Sequence, residues 1–187
     1  MRSMKRMFKN YTESVEIGIV DRLVSVHSAL ASNDVEHKVS SKRTSTTTTL
    51  DKSQHKEIYD LIYSLALKAN NDTYGFHIDD IDSCQFNLYD EKDAGHHTWH
   101  IDFRGFDETQ EVKMRKISVV IQLSEPTEYE GGELQLKYSN YSEQQKSDML
   151  KKGSVITFPC FVEHRVTPVT KGKRLSLIGW AVGNAWN

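Results

Sequence analysis

Apolar residues recur along this chain with two different periods, and the change between them divides it in two. From Tyr11 to Ala31 the apolar positions Val15, Ile19, Leu23, Val26 and Leu30 fall at three- and four-residue steps. That spacing predicts an amphipathic helix, with Thr12 as a candidate cap. A second helix is expected after Asp51, which can cap it, with Ile58, Leu61, Ile62, Leu65 and Leu67 on or near one side and an end near Asn70-Asn71. The stretch between them, Ser32 to Thr49, is polar and finishes in Thr44-Ser-Thr-Thr-Thr-Thr49. A Ser/Thr linker would read this way, but a β-branched run favours a pleated surface, so an extended strand is the expectation.

From Tyr74 onward the period becomes two. Short apolar runs follow at Phe76–Ile78, Cys84–Tyr89, Thr98–Phe103, Ile117–Leu123, Glu133–Tyr138, Ser154–Pro159, His164–Val169 and Arg174–Val182. Turn residues separate most of them: Asp93-Ala-Gly95, Gly131-Gly132, Lys152-Gly153 and Lys171-Gly-Lys173. Short strands following two helices predict a mainly β fold with flanking helices, an antiparallel sandwich or jelly roll with the N-terminal helices packed outside. The organisation expected is one domain over 1–187, with a helical part at 1–73 and a jelly-roll core at 74–187.

Composition narrows this little. A chain of 187 residues supports one domain with a sizeable core. Lys plus Arg number 24 and Asp plus Glu 26, a net charge of −2, which argues against nonspecific nucleic-acid binding. No apolar run approaches the roughly 18 residues of a membrane span. The basic start, Met1 to Lys9, lacks the apolar stretch of a secretion signal, and the two cysteines, Cys84 and Cys160, read as buried free thiols. Both observations point to a reducing cytoplasm.

The chemistry begins at His100 and Asp102. On a strand these two side chains share a face, with Trp99 and Ile101 on the other. A third ligand must come from another strand, and His164 is the best offer. Two imidazoles and a carboxylate suit iron(II) held on one face, with the opposite positions open. The same set also holds zinc, and His96 is an alternative third ligand beside Gly95 in a loop. Arg174 adds a group suited to a two-pronged grip on a carboxylate. Arg174, Ser176, Ile178 and Trp180 share one face of their strand. If this strand folds back on the His164 strand about Lys171, residue 178 lies opposite His164 and Arg174 four positions along. At about 3.3 Å per residue that is roughly 13 Å, a gap bridged by a five-carbon diacid and an arginine side chain. Ser176 can donate a hydrogen bond to the same carboxylate.

Read in order, Trp99-His-Ile-Asp102, Arg115–Ser124, Tyr129-Glu-Gly-Gly-Glu-Leu134, Gly153–Pro159, His164–Val169 and Gly172–Trp180 resemble the iron(II)- and 2-oxoglutarate-dependent dioxygenases. The prolyl 4-hydroxylase-like branch, and within it the PKHD-type hydroxylases, is the nearest likeness, over residues 71–183. The Thr-rich segment, the helix after Asp51 and Tyr74–Ile78 match more loosely. The resemblance implies a double-stranded β-helix of cupin-like form. It implies that His100, Asp102 and His164 bind Fe(II), and that Arg174 pairs with the distal carboxylate of 2-oxoglutarate. Tyr89 and Gln122 match polar contacts to that co-substrate, and Trp180 an aromatic lining the metal pocket. The implied reaction uses O₂, with ascorbate as an accessory reductant, to convert 2-oxoglutarate to succinate and CO₂ while hydroxylating an unactivated carbon. A prolyl or other amino-acid side chain, in a peptide or free, is the implied substrate. The intact Asp102 points to hydroxylation, because halogenating relatives carry a small residue there. The family's usual tyrosine two residues before the first histidine is replaced by Thr98. Oxidation of a nucleic-acid base or small metabolite, and a cupin-like metal-binding module without turnover, are the other two readings. The segment Phe103–Met114, and more weakly Ser139–Lys152, are candidate substrate-contacting loops.

Overall fold

The computed structural model describes residues 11–31, 35–103, 113–138, 141–143 and 150–184. Its strands are β1 (Tyr11–Ser14), β2 (Glu36–Val39), β3 (Arg43–Thr49), β4 (Asp80–Asp90), β5 (His96–His100) and β6 (Met114–Gln122). They continue with β7 (Tyr129–Gly131), β8 (Leu134–Tyr138), β9 (Tyr141–Glu143), β10 (Ser154–Pro159), β11 (Glu163–Val166) and β12 (Val169–Gly183). Two helices, α1 (Ile17–Leu30) and α2 (Lys56–Ala69), precede β4. Strand order is β1-β10-β6-β12-β4-β3-β5-β11-β8-β9, antiparallel throughout, with β2 on β3 and β7 on β12. The sheet curls into a half-barrel, the jelly-roll form expected.

The alternation along the central strands sorts their side chains into two layers. Cys84 and Phe86 on β4, Ile117, Val119 and Ile121 on β6, and Leu175, Leu177 and Ala181 on β12 face α1 and α2. Helix α2 answers with Ile58, Tyr59, Ile62, Leu65, Ala66 and Ala69, an apolar stripe at helical spacing. The alternate residues of the same strands, Tyr89, Val120, Ile178 and Trp180, point inward, where they form a second cluster with Ile156 and Phe158 of β10.

Several element boundaries depart from expectation. Helix α1 starts at Ile17, and Tyr11–Ser14 is instead a strand paired with β10, so the helix start expected at Thr12 moves to Glu16, which holds the cap position without a side-chain bond. The β1 pairing supplies interstrand partners, and the helical period takes over only after it. Asp51 accepts from the Ser53 N–H at 2.7 Å, which closes a turn, and α2 itself begins after His55. Phe76–Ile78 is not a strand, because a π-turn at Asn70–Tyr74, closed by left-handed Gly75, leads the chain irregularly into β4. The Thr-rich run does form a strand, β3.

The largest correction concerns β12. The hairpin about Lys171 does not exist: Val169 to Gly183 is one strand, and His164 lies on β11, which pairs with β5 and β8 instead. Gly172 has a different task. At φ +70 it lets β12 pass so close to β7 that an added Cβ would lie 2.0 Å from the Glu128 carbonyl oxygen. The candidate loops of residues 104–112 and, for the most part, 139–149 lie outside the described residues. Among the described residues, no helix is long and apolar enough to cross a membrane. Cys84 and Cys160 are both buried and free.

Candidate metal centre

His100 ends β5, and its antiparallel neighbour in register is His164 on β11. Their rings stand 4.1 Å apart between centroids. Asp102 lies two residues beyond the paired part of β5, held by a hydrogen bond from its N–H to the Cys160 carbonyl at 2.9 Å. One ligand atom from each of His100, Asp102 and His164 falls within 4.8 Å of the others. Asp102 Oδ1 is 3.7 Å from His100 Nε2, and Oδ2 is 3.5 Å from His164 Nε2. Trp99, on the other face, lies beneath Arg165, whose guanidinium carbon is 4.8 Å from the ring centre, and Ile101 is exposed. His96 is not among the residues whose ligand atoms converge, nor does it line the pocket beside them, so His164 and not His96 is the third member.

Backbone carbonyls fix the tautomers. His100 Nδ1 is 2.8 Å from the Thr98 oxygen, and His164 Nδ1 is 2.9 Å from the Val162 oxygen. A carbonyl only accepts, so each Nδ1 carries the proton and each Nε2 turns a lone pair toward Asp102. Burial, with help from the adjacent His164, pushes the His100 pKa down to about 4. Burial pushes His97, stacked 3.5 Å from His100, down to about 3. Both rings are therefore neutral near pH 7, the form that binds metal. For Asp102 burial works to raise the pKa. The neighbouring His164 and the polar hydrogens of Trp180 and Ser118 outweigh it, holding the carboxyl below its ordinary range. Ser118 Oγ donates to Oδ2 at 2.7 Å, whereas the Trp180 Nε1–H approaches without completing a well-formed bond. The result is a neutral His100 beside an anionic Asp102.

The pocket beside this cluster encloses about 450 Å³ out to its open mouth. Arg174, Ser176 and Trp180 project into it from β12, and Tyr89 joins them from β4 as the direct cross-strand neighbour of Arg174. Arg174 is 1 % exposed, and its Nε has no hydrogen-bond partner. Among the described residues no carboxylate pairs with it. A buried unpaired guanidinium is costly, so the residues present fit an anion supplied from outside. The Tyr89 ring lies 5.8 Å from the guanidinium carbon, and burial pushes its phenol pKa up. The pocket thus offers a metal grip at one end and a cation at the other.

Gln122 does not line this pocket. It is buried across from Ser176, and its amide nitrogen donates to the Tyr129 hydroxyl at 2.9 Å while Oε1 is unpartnered. Four polar lining residues have no part in the sequence-based set: Arg43, Gln85, Asn87 and His97. Arg43 reaches Ser45 at 2.7 Å, Thr47 at 2.9 Å and Asn87 at 2.7 Å. The signal was present in the period-two series Arg43-x-Ser45-x-Thr47 and Gln85-x-Asn87-x-Tyr89. Each places polar groups on one face of a strand, where an apolar interior would otherwise be expected.

The chain is similar to known proteins both in sequence and in fold. A PKHD-type hydroxylase of Shewanella frigidimarina is 35% identical over 97 residues, which cover 51% of this chain and 41% of that protein. The chain thus spans less than half the length of the curated relatives it matches. Among solved structures, a Pseudomonas putida prolyl-4-hydroxylase superposes with a TM-score of 0.72 at 19% identity, covering 95% of this chain and 94% of that one. A Trichoplax adhaerens prolyl hydroxylase in complex with a hypoxia inducible factor peptide fragment also reaches 0.72, at 15% identity, covering 95% and 84%. At such identities these two establish the fold. The family model for the 2OG-Fe(II) oxygenase superfamily, whose members use iron(II), 2-oxoglutarate and O₂, matches residues 84–182, more than half of the sequence. With that match running from within β4 to within β12, the chain belongs to the 2OG-Fe(II) oxygenase superfamily.

Proposed function

We propose that the chain hydroxylates an unactivated C–H bond, that of a prolyl or other amino-acid side chain in a peptide or protein, coupled to conversion of 2-oxoglutarate to succinate and CO₂. The observation that carries this reading is the buried, unpaired Arg174 in the same pocket as the His100–Asp102–His164 cluster. Iron bound there, with 2-oxoglutarate and O₂, would supply the oxidation. The chain's own residues bind, orient and shield. His100 and His164 offer Nε2 lone pairs and Asp102 a carboxylate oxygen, the set that leaves open positions on one side of a metal. Arg174 pairs with the distal carboxylate of 2-oxoglutarate, a charge-assisted contact strengthened by exclusion of water. Ser176 and Tyr89, beside Arg174 in register, supply hydroxyls to the same end of the pocket. Trp180, with Arg115 stacked 3.8 Å above its ring, walls the metal end. Arg43, Asn87 and His97 add polar groups to the pocket wall. The peptide-bound relative from Trichoplax supports a peptidyl substrate.

The test is incubation with Fe(II), 2-oxoglutarate and a panel of proline-containing peptides, amino acids, nucleosides and small metabolites. Iron-dependent succinate release, a product heavier by one oxygen atom on a peptide, and loss of both in His100→Ala and Arg174→Ala are expected. Succinate release that persists in His100→Ala would overturn the assigned site. An oxygenated nucleoside or metabolite with no peptide product would replace the substrate, and metal binding without any succinate would leave a binding module.

A further inference from the structure

Asp102 is the least anchored of the three ligands. It lies past the end of β5, outside the strand pairing that fixes His100 and His164. Its backbone is held by one bond, to the Cys160 carbonyl, and its side chain receives Ser118 Oγ on Oδ2 at 2.7 Å. Ser118 is itself fully buried in the middle of β6, with Phe158 on β10 and Trp180 on β12 as its two cross-strand neighbours. On the same strand Ile117, Val119 and Ile121 face the helices, while Ser118 points into the interior cluster beside Val120. A hydroxyl buried among apolar side chains is unfavourable unless its hydrogen bonds are made. Here they are made, in a definite direction. A carboxylate can only accept, so the Ser118 proton goes to Asp102. Its oxygen is then left as acceptor for the Cys160 thiol, whose Sγ lies at 3.3 Å.

We propose that Ser118, itself oriented by Cys160, is the positioning residue of the metal centre: its hydroxyl locks the Asp102 carboxylate so that one oxygen is presented to the metal. Without that bond the carboxylate is free to rotate about its last side-chain torsion and offer both oxygens. A two-oxygen grip would occupy a position that a bound metal would otherwise offer to co-substrate or O₂. Cys160 serves twice, through its carbonyl on the Asp102 backbone and through its thiol on Ser118, which explains a free cysteine buried directly behind a metal ligand. Outer partners of this kind typically alter metal affinity by about 10–100-fold.

The inference rests on the reading of His100, Asp102 and His164 as a metal site, so the experiment separates the two. Metal-free full-length protein is titrated with Mn(II) and with Co(II), following affinity and the Co(II) absorption spectrum. The unfolding midpoint of the metal-free protein is measured alongside. Ser118→Ala is expected to weaken both metals by about 10–100-fold and to change the Co(II) spectrum, with the midpoint little moved. Ser118→Thr, which keeps the hydroxyl, restores both. Cys160→Ala, which leaves the Ser118–Asp102 bond in place, produces a smaller loss than Ser118→Ala. Wild-type affinity and spectrum in Ser118→Ala would overturn the proposal while leaving the metal site intact. A folded Ser118→Thr as weak as the alanine variant would overturn it too. Failure of the wild type to bind either metal would instead remove the site on which the proposal rests. Should Ser118→Ala not fold, the threonine and Cys160 variants still decide: loss in the first, or none in the second, counts against it.

Discussion

The two faces of β12 are equally buried and chemically opposite. Leu175, Leu177 and Ala181 meet the helices in a layer where apolar contacts complete themselves within the chain. Arg174, Ser176 and Trp180, on the other face, are 1 %, 3 % and 5 % exposed, yet Arg174 Nε and Trp180 Nε1 end without partners. Gln122 Oε1, on the neighbouring strand, does the same. Burial on the first face stabilises the fold. On the second face it stores unmet polar demand, which a bound ligand can meet.

That contrast can be broken most forcefully at Arg174. Arg174→Leu is expected to weaken 2-oxoglutarate binding by about 2–5 kcal/mol, read by calorimetry on the Mn(II)-loaded protein. Its metal-free unfolding midpoint should hold or rise, since leucine removes an unpaired buried charge. Retained binding with a lowered midpoint would reverse the assignment of the two faces. Leu177→Ala, three residues on and facing the helices, should behave in the opposite way. Roughly 2–5 kcal/mol of stability is lost in denaturant titration, with succinate formation per folded molecule unchanged. A smaller effect is expected from Gly132→Ala. At φ +60 its Cβ would sit 2.9 Å from Val169 Cγ2 and 3.1 Å from Arg174 Cδ. A displaced guanidinium should raise the 2-oxoglutarate KM, at a stability cost of about 1–3 kcal/mol; an unchanged KM would show that the arginine does not depend on this close approach.

The mildest probe is pH. His100 has its pKa lowered from 6.5 to about 4, so between those values the unfolded chain binds a proton that the folded one does not. Stability of the metal-free protein is therefore fully present above about pH 6.5 and declines as pH falls toward 4. His97, lowered to about 3, and Asp102, also lowered, extend the loss further in the same direction. Denaturant midpoints taken across that range test this, and a midpoint that rises on acidification would contradict it. Bound metal competes with these protons, so the loaded protein should show the decline at lower pH.

Much of this was legible from the sequence because local geometry carries it. His100 and Asp102 are two apart, and the alternation on β12 put Arg174, Ser176 and Trp180 on one face without knowledge of the partner strands. What escaped is what depends on the partners. The Lys171-Gly-Lys173 turn signal is real in composition, but Gly172 serves a close approach to β7 and not a hairpin, so Arg174 reaches the pocket from a strand remote from β11. Arg43 was hidden in a stretch whose polarity resembles a linker; only the pairing of β3 with β4 and β5 shows that its face looks into the pocket. Gln122 illustrates the converse. Its position on β6 points inward, but Tyr129 captures its amide before it reaches the cavity.

The double pairing of β12 also limits how this chain can change in length. From Ser176 to Gly179 the strand is hydrogen-bonded to β4 on one side and β6 on the other. One residue inserted or deleted here would exchange the two faces, swinging arginine toward the helices and leucine toward the cavity. Substitutions along β12 can be accommodated one at a time, but a single-residue indel cannot. Homologues should therefore keep constant spacing from Arg174 to Trp180 and place their insertions and deletions in the connections between strands.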